Sequence, residues 1–185
     1  MVADLLSEAE SKMHRAIESL KKDLASIRTG RASPALLDRI HVDYYGVPTA
    51  LAQISNVSVP EPRLLVIQPW ERNMIGPIEK AILKSDLGLT PNNDGRVIRL
   101  AIPQLTEDRR KDLVKQMKRR VEEGRVAVRN VRRETHDDVR DLEKEKLISE
   151  DESKRAVERL QKVTDARMVE VDLVGQKKEE EILEV

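Results

Sequence analysis

The sequence predicts an α+β protein: an elongated bundle of three long helices interrupted by one small α+β domain. Three observations lead there. Of its 185 residues 37% are charged and 39% hydrophobic, with no Phe and only Tyr44, Tyr45 and Trp70 as aromatics, a mix suited to long two-faced helices. All 8 prolines fall between Pro34 and Pro103, and 5 of the 7 glycines between Gly30 and Gly95, so the helix breakers are confined to one window. On both sides of that window apolar residues recur at helical spacing.

The first stripe is Leu6, Met13, Ile17, Leu20, Leu24 and Ile27, spaced by 3, 4 or 7, and it predicts a helix ending near Gly30. After the window, Thr106 is placed to cap a second helix, with Glu107 and Asp108 in the first turn where carboxylates favour the positive end of the helix dipole. Val114, Met117, Val121, Val128, Val131, Thr135, Val139 and Leu142 carry its apolar side. Ser149 and Glu152 spell the capping box S-x-x-E, opening a third helix with Val157, Leu160, Met168 and Val171. These helices would be roughly 40, 60 and 50 Å long at 1.5 Å per residue. Each must bury its stripe. Three comparable stripes in one chain point to an antiparallel intramolecular bundle, although a dimeric coiled coil would satisfy the same near-heptad spacing. The bundle is thus discontinuous, residues 1–30 and 105–185, with 31–104 inserted.

Within the insert, Ile40, Val42 and Tyr44 alternate with polar residues before Gly46 and Pro48. Leu64 to Gln68 is a compact apolar run, and Arg96 to Ile102 alternates after Asn93-Asp94-Gly95; all three read as strands. Met74 to Leu87, closed by Gly88, reads as a helix starting near Pro77. Trp70 is expected to pack. The chain passes between the two parts twice, at Thr29, Gly30 and Arg31 and at Pro103, Gln104 and Leu105, and these six residues are the expected hinge.

Little here supports covalent chemistry. The absence of cysteine excludes disulfides, thiolate nucleophiles and cysteine metal sites. His14, His41 and His136 are too scattered for a local metal cluster, and neither GxxxxGK[ST] nor GxGxxG occurs. The expectation is a chain that is not an enzyme, with no catalytic residue, metal or cofactor. No run approaches the roughly 20 apolar residues that span a bilayer, so a cytoplasmic protein without a membrane partner is expected.

Charge is where the sequence points to function. Net charge is zero, yet residues 109–133 hold 11 Lys or Arg against 3 acids, and residues 134–185 hold 10 against 17. Arg125, Arg129, Arg132 and Arg133 fall on one side of the second helix, and Lys111, Lys115 and Lys118 extend that face. Arginine's planar fork grips phosphate bidentately, so the face suits a nucleic-acid backbone. A solvated face balanced by the acidic third helix is the alternative, and it would leave a helical module that binds proteins.

At these residues the sequence resembles a known family. RTGRASP at 28–34, DYYGVPT at 43–49, SDLGLTPNNDGRVIRLAIPQLTEDRRKDLVK at 85–115 and RVAVRNVRRE at 125–134 are similar to the signature segments of the bacterial ribosome recycling factors, over essentially the whole chain. The resemblance implies an L-shaped protein of transfer-RNA dimensions, with the three-helix bundle as long arm and a small β/α/β domain as short arm. It implies a monomer that binds the post-termination ribosome through large-subunit rRNA. With elongation factor G, which hydrolyses the GTP, it would split the ribosome and release mRNA and tRNA. Matching positions make Arg110, Arg129 and Arg132 the leading RNA contacts, supported by Arg28, Arg31, Arg125 and Arg133, with Asn130 beside them. One departure is Gly124, where the family more often has alanine; glycine inside a helix costs about 0.5–1 kcal/mol.

Overall fold

The computed structural model describes residues 1–184. Among them the elements run α1 (Val2–Ala25), β1 (His41–Tyr44), β2 (Val47–Ala50), α2 (Leu51–Ile54), β3 (Ser55–Glu61), β4 (Leu64–Pro69), α3 (Ile75–Lys84), β5 (Pro91–Asn93), β6 (Ile98–Ala101), α4 (Glu107–Lys144) and α5 (Glu150–Leu183). The chain folds as two compact units, one of Met1–Thr29 with everything from Glu107 onward, the other Gly30–Thr106.

In the first unit α1, α4 and α5 have 24, 38 and 34 residues, about 36, 57 and 51 Å of helix. Leu6, Met13, Ile17, Leu20 and Leu24 of α1 are buried, as are Met117, Val121, Val128, Thr135 and Val139 of α4 and Leu160 and Val171 of α5. On α4 the stripe starts at Leu113, 3% exposed, rather than at Val114, which is only half-buried. Met13 and Ile17 are fully buried; burial of each such side chain is worth about 1.5–3 kcal/mol, against about 0.2–1 kcal/mol for an exposed ion pair. Packing therefore holds the bundle together. α1 ends earlier than Gly30, because the Ser26 hydroxyl donates to the Asp23 carbonyl at 2.6 Å and the Ser26 N–H closes the last turn. Ser149 caps α5 as its sequence implied, its hydroxyl oxygen accepting from the Glu152 N–H at 3.1 Å.

Two glycines set how closely these helices approach. A Cβ on Gly124 of α4 would lie 2.9 Å from Leu20 Cδ2 of α1, and one on Gly175 of α5 would lie 3.0 Å from Val121 Cγ2 of α4. Gly124 is therefore not simply a weak point in the helix. Its missing side chain is the space that Leu20 fills, and Val121, one turn away, presses onto Gly175.

The second unit is built on an antiparallel sheet ordered β3-β4-β6-β5, with β1 and β2 forming a separate hairpin. Ile75, Ile78 and Ile82 of α3 share a core with Leu65, Ile67, Ile98, Leu100 and Val42. α3 begins at Ile75, before the expected Pro77, because Pro77 sits in the first turn, where an N–H has no intrahelical partner to lose. It ends at Lys84, where the Ser85 N–H bonds back to Ala81 and Ile82. The β1–β2 turn places Tyr45 at φ 51 and Gly46 at φ 85, the two positive angles of a type I′ hairpin. Tyr44 and Tyr45 donate to the two oxygens of Glu71 at 3.3 and 3.1 Å. Trp70 does not pack as expected: it is 68% exposed.

At the β5–β6 turn, backbone N–H groups of Val97 and Arg96 and the Arg99 guanidinium hold the Asp94 carboxyl well below the usual carboxylate range. A depressed folded pKa adds stability that is present above the unfolded value, about 3.9, and lost as pH falls through the folded one. Asp94→Asn should lower the melting temperature at pH 7, and the gap from wild type should narrow as pH drops below about 4. In the bundle, Gly175→Val should overpack the contact with Val121 and cost about 1–3 kcal/mol, read as a lower denaturation midpoint.

Candidate nucleic-acid interface

The amphipathic pattern that buries Met117, Val121 and Val128 turns the opposite side of α4 outward, and that side is basic. Lys111, Lys115, Lys118, Arg129 and Arg133 are exposed there, along about 33 Å of helix. Arg133 makes no hydrogen bond or ion pair with any described residue. Arg129 is 49% exposed and donates from Nη1 to Glu122 Oε1 at 3.2 Å. Both can swing onto a phosphate.

Arg125 and Arg132 sit differently, in the seam with α5. Arg125 Nε and Nη2 donate to Asp172 Oδ1 at 3.0 and 2.5 Å, and Nη1 to Glu122 Oε2 at 3.1 Å. The Asp172 bond, then the Glu122 bond, push its pKa above the ordinary arginine value. Bonds from Arg125 and then Arg129 hold the Glu122 carboxyl below its usual value. Arg132 donates from Nη1 to Gln161 Oε1 at 3.2 Å, while its Nε is buried without an acceptor. These two arginines pin α4 to α5 as well as contributing charge.

The other expected contacts lie apart from this cluster. Arg110 is half-buried, in line with the buried stripe one heptad before Met117, and about 28 Å along the helix from Arg129. Arg28 is exposed beyond the end of α1, and Arg31 is exposed in the second unit. Of the expected hinge residues, Thr29 belongs to the first unit and Gly30 opens the second. Gly30 has φ 76, and a Cβ there would meet Leu105 Cγ at 3.1 Å. Beside Arg31 and Pro103, the N–H groups of Ala32 and Ile102 donate to the Pro62 and Arg63 carbonyls at 2.7 and 2.8 Å, fixing both passages at their second-unit ends.

Sequence reasoning missed the roles of two residues of α4. Glu122 was counted only as one of three local acids, yet it sits amid the arginines. Arg120 was counted among the basic residues, but it binds the Asp23 carbonyl, Asp23 Oδ1 and Ser26 Oγ at 3.0–3.2 Å and ties α4 to the end of α1. Its place on the flank of the stripe opposite Arg125, about 140° away around the helix, is the one sequence signal for that role. Among the described residues no group of three or more His, Asp or Glu is placed to hold a metal, and no helix is long and apolar enough to cross a membrane.

The family model described as ribosome recycling factor matches residues 20–183. The chain belongs to the ribosome recycling factor family. It is 58% identical over 185 residues to the ribosome-recycling factor of Syntrophomonas wolfei, and 56% identical to that of Heliobacterium modesticaldum, each alignment covering 100% of both chains. A solution structure of a ribosome recycling factor superimposes with a TM-score of 0.78 at 46% identity, covering 100% of this chain and 98% of that one. A second solved relative is the Thermus thermophilus ribosome recycling factor, described with Escherichia coli elongation factor G bound to the post-termination complex. It matches at TM-score 0.67 and 49% identity, over 99% of each chain.

The split between seam and surface arginines is measurable. Arg125→Ala should lower thermal stability by up to about 1 kcal/mol, because it opens the α4–α5 seam. Arg133→Ala should stay within about 0.5 kcal/mol of wild type.

Proposed function

We propose that this chain recycles ribosomes: it docks on the large-subunit rRNA of a post-termination ribosome and, with elongation factor G, splits it into subunits. The observation that carries this reading is the basic outer face of α4, in a chain that is a full-length relative of ribosome recycling factors. A row of exposed cations along one long helix suits recognition of backbone and shape, the mode open to a protein that cannot read bases in the deep A-form groove.

In this reading Arg129 and Arg133 grip phosphate directly, with Lys115 and Lys118 adding charge. Arg125 and Arg132 hold the face in place, and Arg110, Arg28 and Arg31 extend the contact elsewhere. Residues 1–30 and 105–185 act as the rRNA-binding domain, with 31–104 as the inserted one. The passages at Thr29–Arg31 and Pro103–Leu105 are the hinge that carries load when elongation factor G acts. The chain works as a cytoplasmic monomer, catalyses nothing itself, needs no cofactor, and leaves GTP hydrolysis to its partner.

Splitting of post-termination ribosomes, followed by light scattering, tests this. The wild-type chain should lower the signal only with both elongation factor G and GTP. Arg129→Ala with Arg133→Ala should raise the concentration needed for half-maximal rate by about 10-fold or more, in line with losing two charge-assisted bonds. A wild-type chain that splits nothing would instead leave a protein-binding helical module.

A further inference from the structure

The outer face of α4 is not uniformly positive. Between Leu113 and Arg133 only Glu122 and Glu123 are acidic, and only Glu122 reaches the arginines. Its two oxygens are divided, Oε1 to Arg129 at 3.2 Å and Oε2 to Arg125 at 3.1 Å. Lys118 lies one turn before it on the same side. Glu123 is exposed and points about 100° away around the helix, with no hydrogen bond or ion pair to any described residue. One carboxylate thus stands where an incoming phosphate would stand, using the same guanidinium donors.

We propose that Glu122 is an internal competitor for phosphate, which occupies Arg129 and the one Arg125 nitrogen, Nη1, that Asp172 does not hold, and sets the affinity of the α4 face below what its arginines could reach. The inference rests on the rRNA-binding reading of this face. Glu122 is 52% exposed, so water screens its bonds and the carboxylate can be displaced. RNA phosphate, bearing a full charge and accepting bidentately, takes over the donors, and Glu122 then faces the polyanion as a like charge. The result is a face that binds and also lets go, as a factor that acts repeatedly must.

The test measures affinity for isolated large ribosomal subunits across a salt series, for wild type, Glu122→Gln, Glu123→Gln, Arg129→Ala and the double variant Glu122→Gln with Arg129→Ala. Both glutamine changes raise net charge equally, so Glu123→Gln reports the general electrostatic effect. Glu122→Gln should bind about three- to tenfold tighter than wild type. It should steepen the dependence of log affinity on log salt by about one, and exceed Glu123→Gln on both measures. Its gain should shrink when Arg129 is absent. Equal effects of the two glutamine variants, or weaker binding by Glu122→Gln, would overturn the proposal while loss of binding in Arg129→Ala upheld the rRNA face. An Arg129→Ala chain that binds as wild type does would remove the face and the competitor together.

Discussion

The bundle depends on how closely three helices approach around Val121. Leu20 of α1 occupies the place where Gly124 has no side chain, and Val121 presses on Gly175 of α5. Because Gly124 and Val121 are three positions apart, adjacent flanks of α4 receive α1 and α5 at nearly the same height. Helices this long cannot be held by their ends; their stripes must stay in contact along the whole length, and glycine at the crossings lets the backbones come near enough for that. The helix propensity given up at Gly124 and Gly175 is offset by apolar burial of Leu20 and Val121.

From that packing follows the electrostatic layout. Once α1 and α5 cover the two flanks of the α4 stripe, the cations of α4 divide by position. Arg120 turns toward α1 and binds Asp23. Arg125 turns toward α5 and binds Asp172, while Arg129 and Arg133 remain outward. The acidity of the third helix therefore does not cancel the basic face. Part of it, Asp172, is taken up in the seam by Arg125, while Arg132 there bonds the neutral Gln161. What remains is a positive strip along one long helix, which suits a polyanion whose own surface is regular.

Much of this was legible in the sequence, and the exceptions have physical causes. Met13, Ile17, Met117, Val121 and Leu160 could be placed in the core from spacing alone, because a helix repeats its buried positions regularly. The central strands β4 and β6 were legible as an apolar run and an alternating run. Three strands were missed, β2, β3 and β5, and each contains a proline, Pro48, Pro60 or Pro91, which is read as a breaker. β3 and β5 tolerate it because they are the edges of their sheet, where a missing N–H breaks no ladder. Trp70 was misjudged because apolar bulk signals burial only on average. At the basic face, spacing located the arginines but not their partners. Asp172 lies 47 residues from Arg125, and nothing local to either marks the pair.

The central claim is that the outer side of α4 meets ribosomal RNA, and directed cleavage tests it most directly. The chain has no cysteine, so a single Val126→Cys, at an exposed position amid the basic strip, can carry a hydroxyl-radical source without ambiguity. Bound to post-termination ribosomes, that chain should cut large-subunit rRNA strongly at a few sites, and a chain labelled through Ser19→Cys, exposed on α1, should cut the same nucleotides weakly or not at all. Strong cleavage from Ser19→Cys with none from Val126→Cys would put the RNA against another face of the bundle and contradict the account.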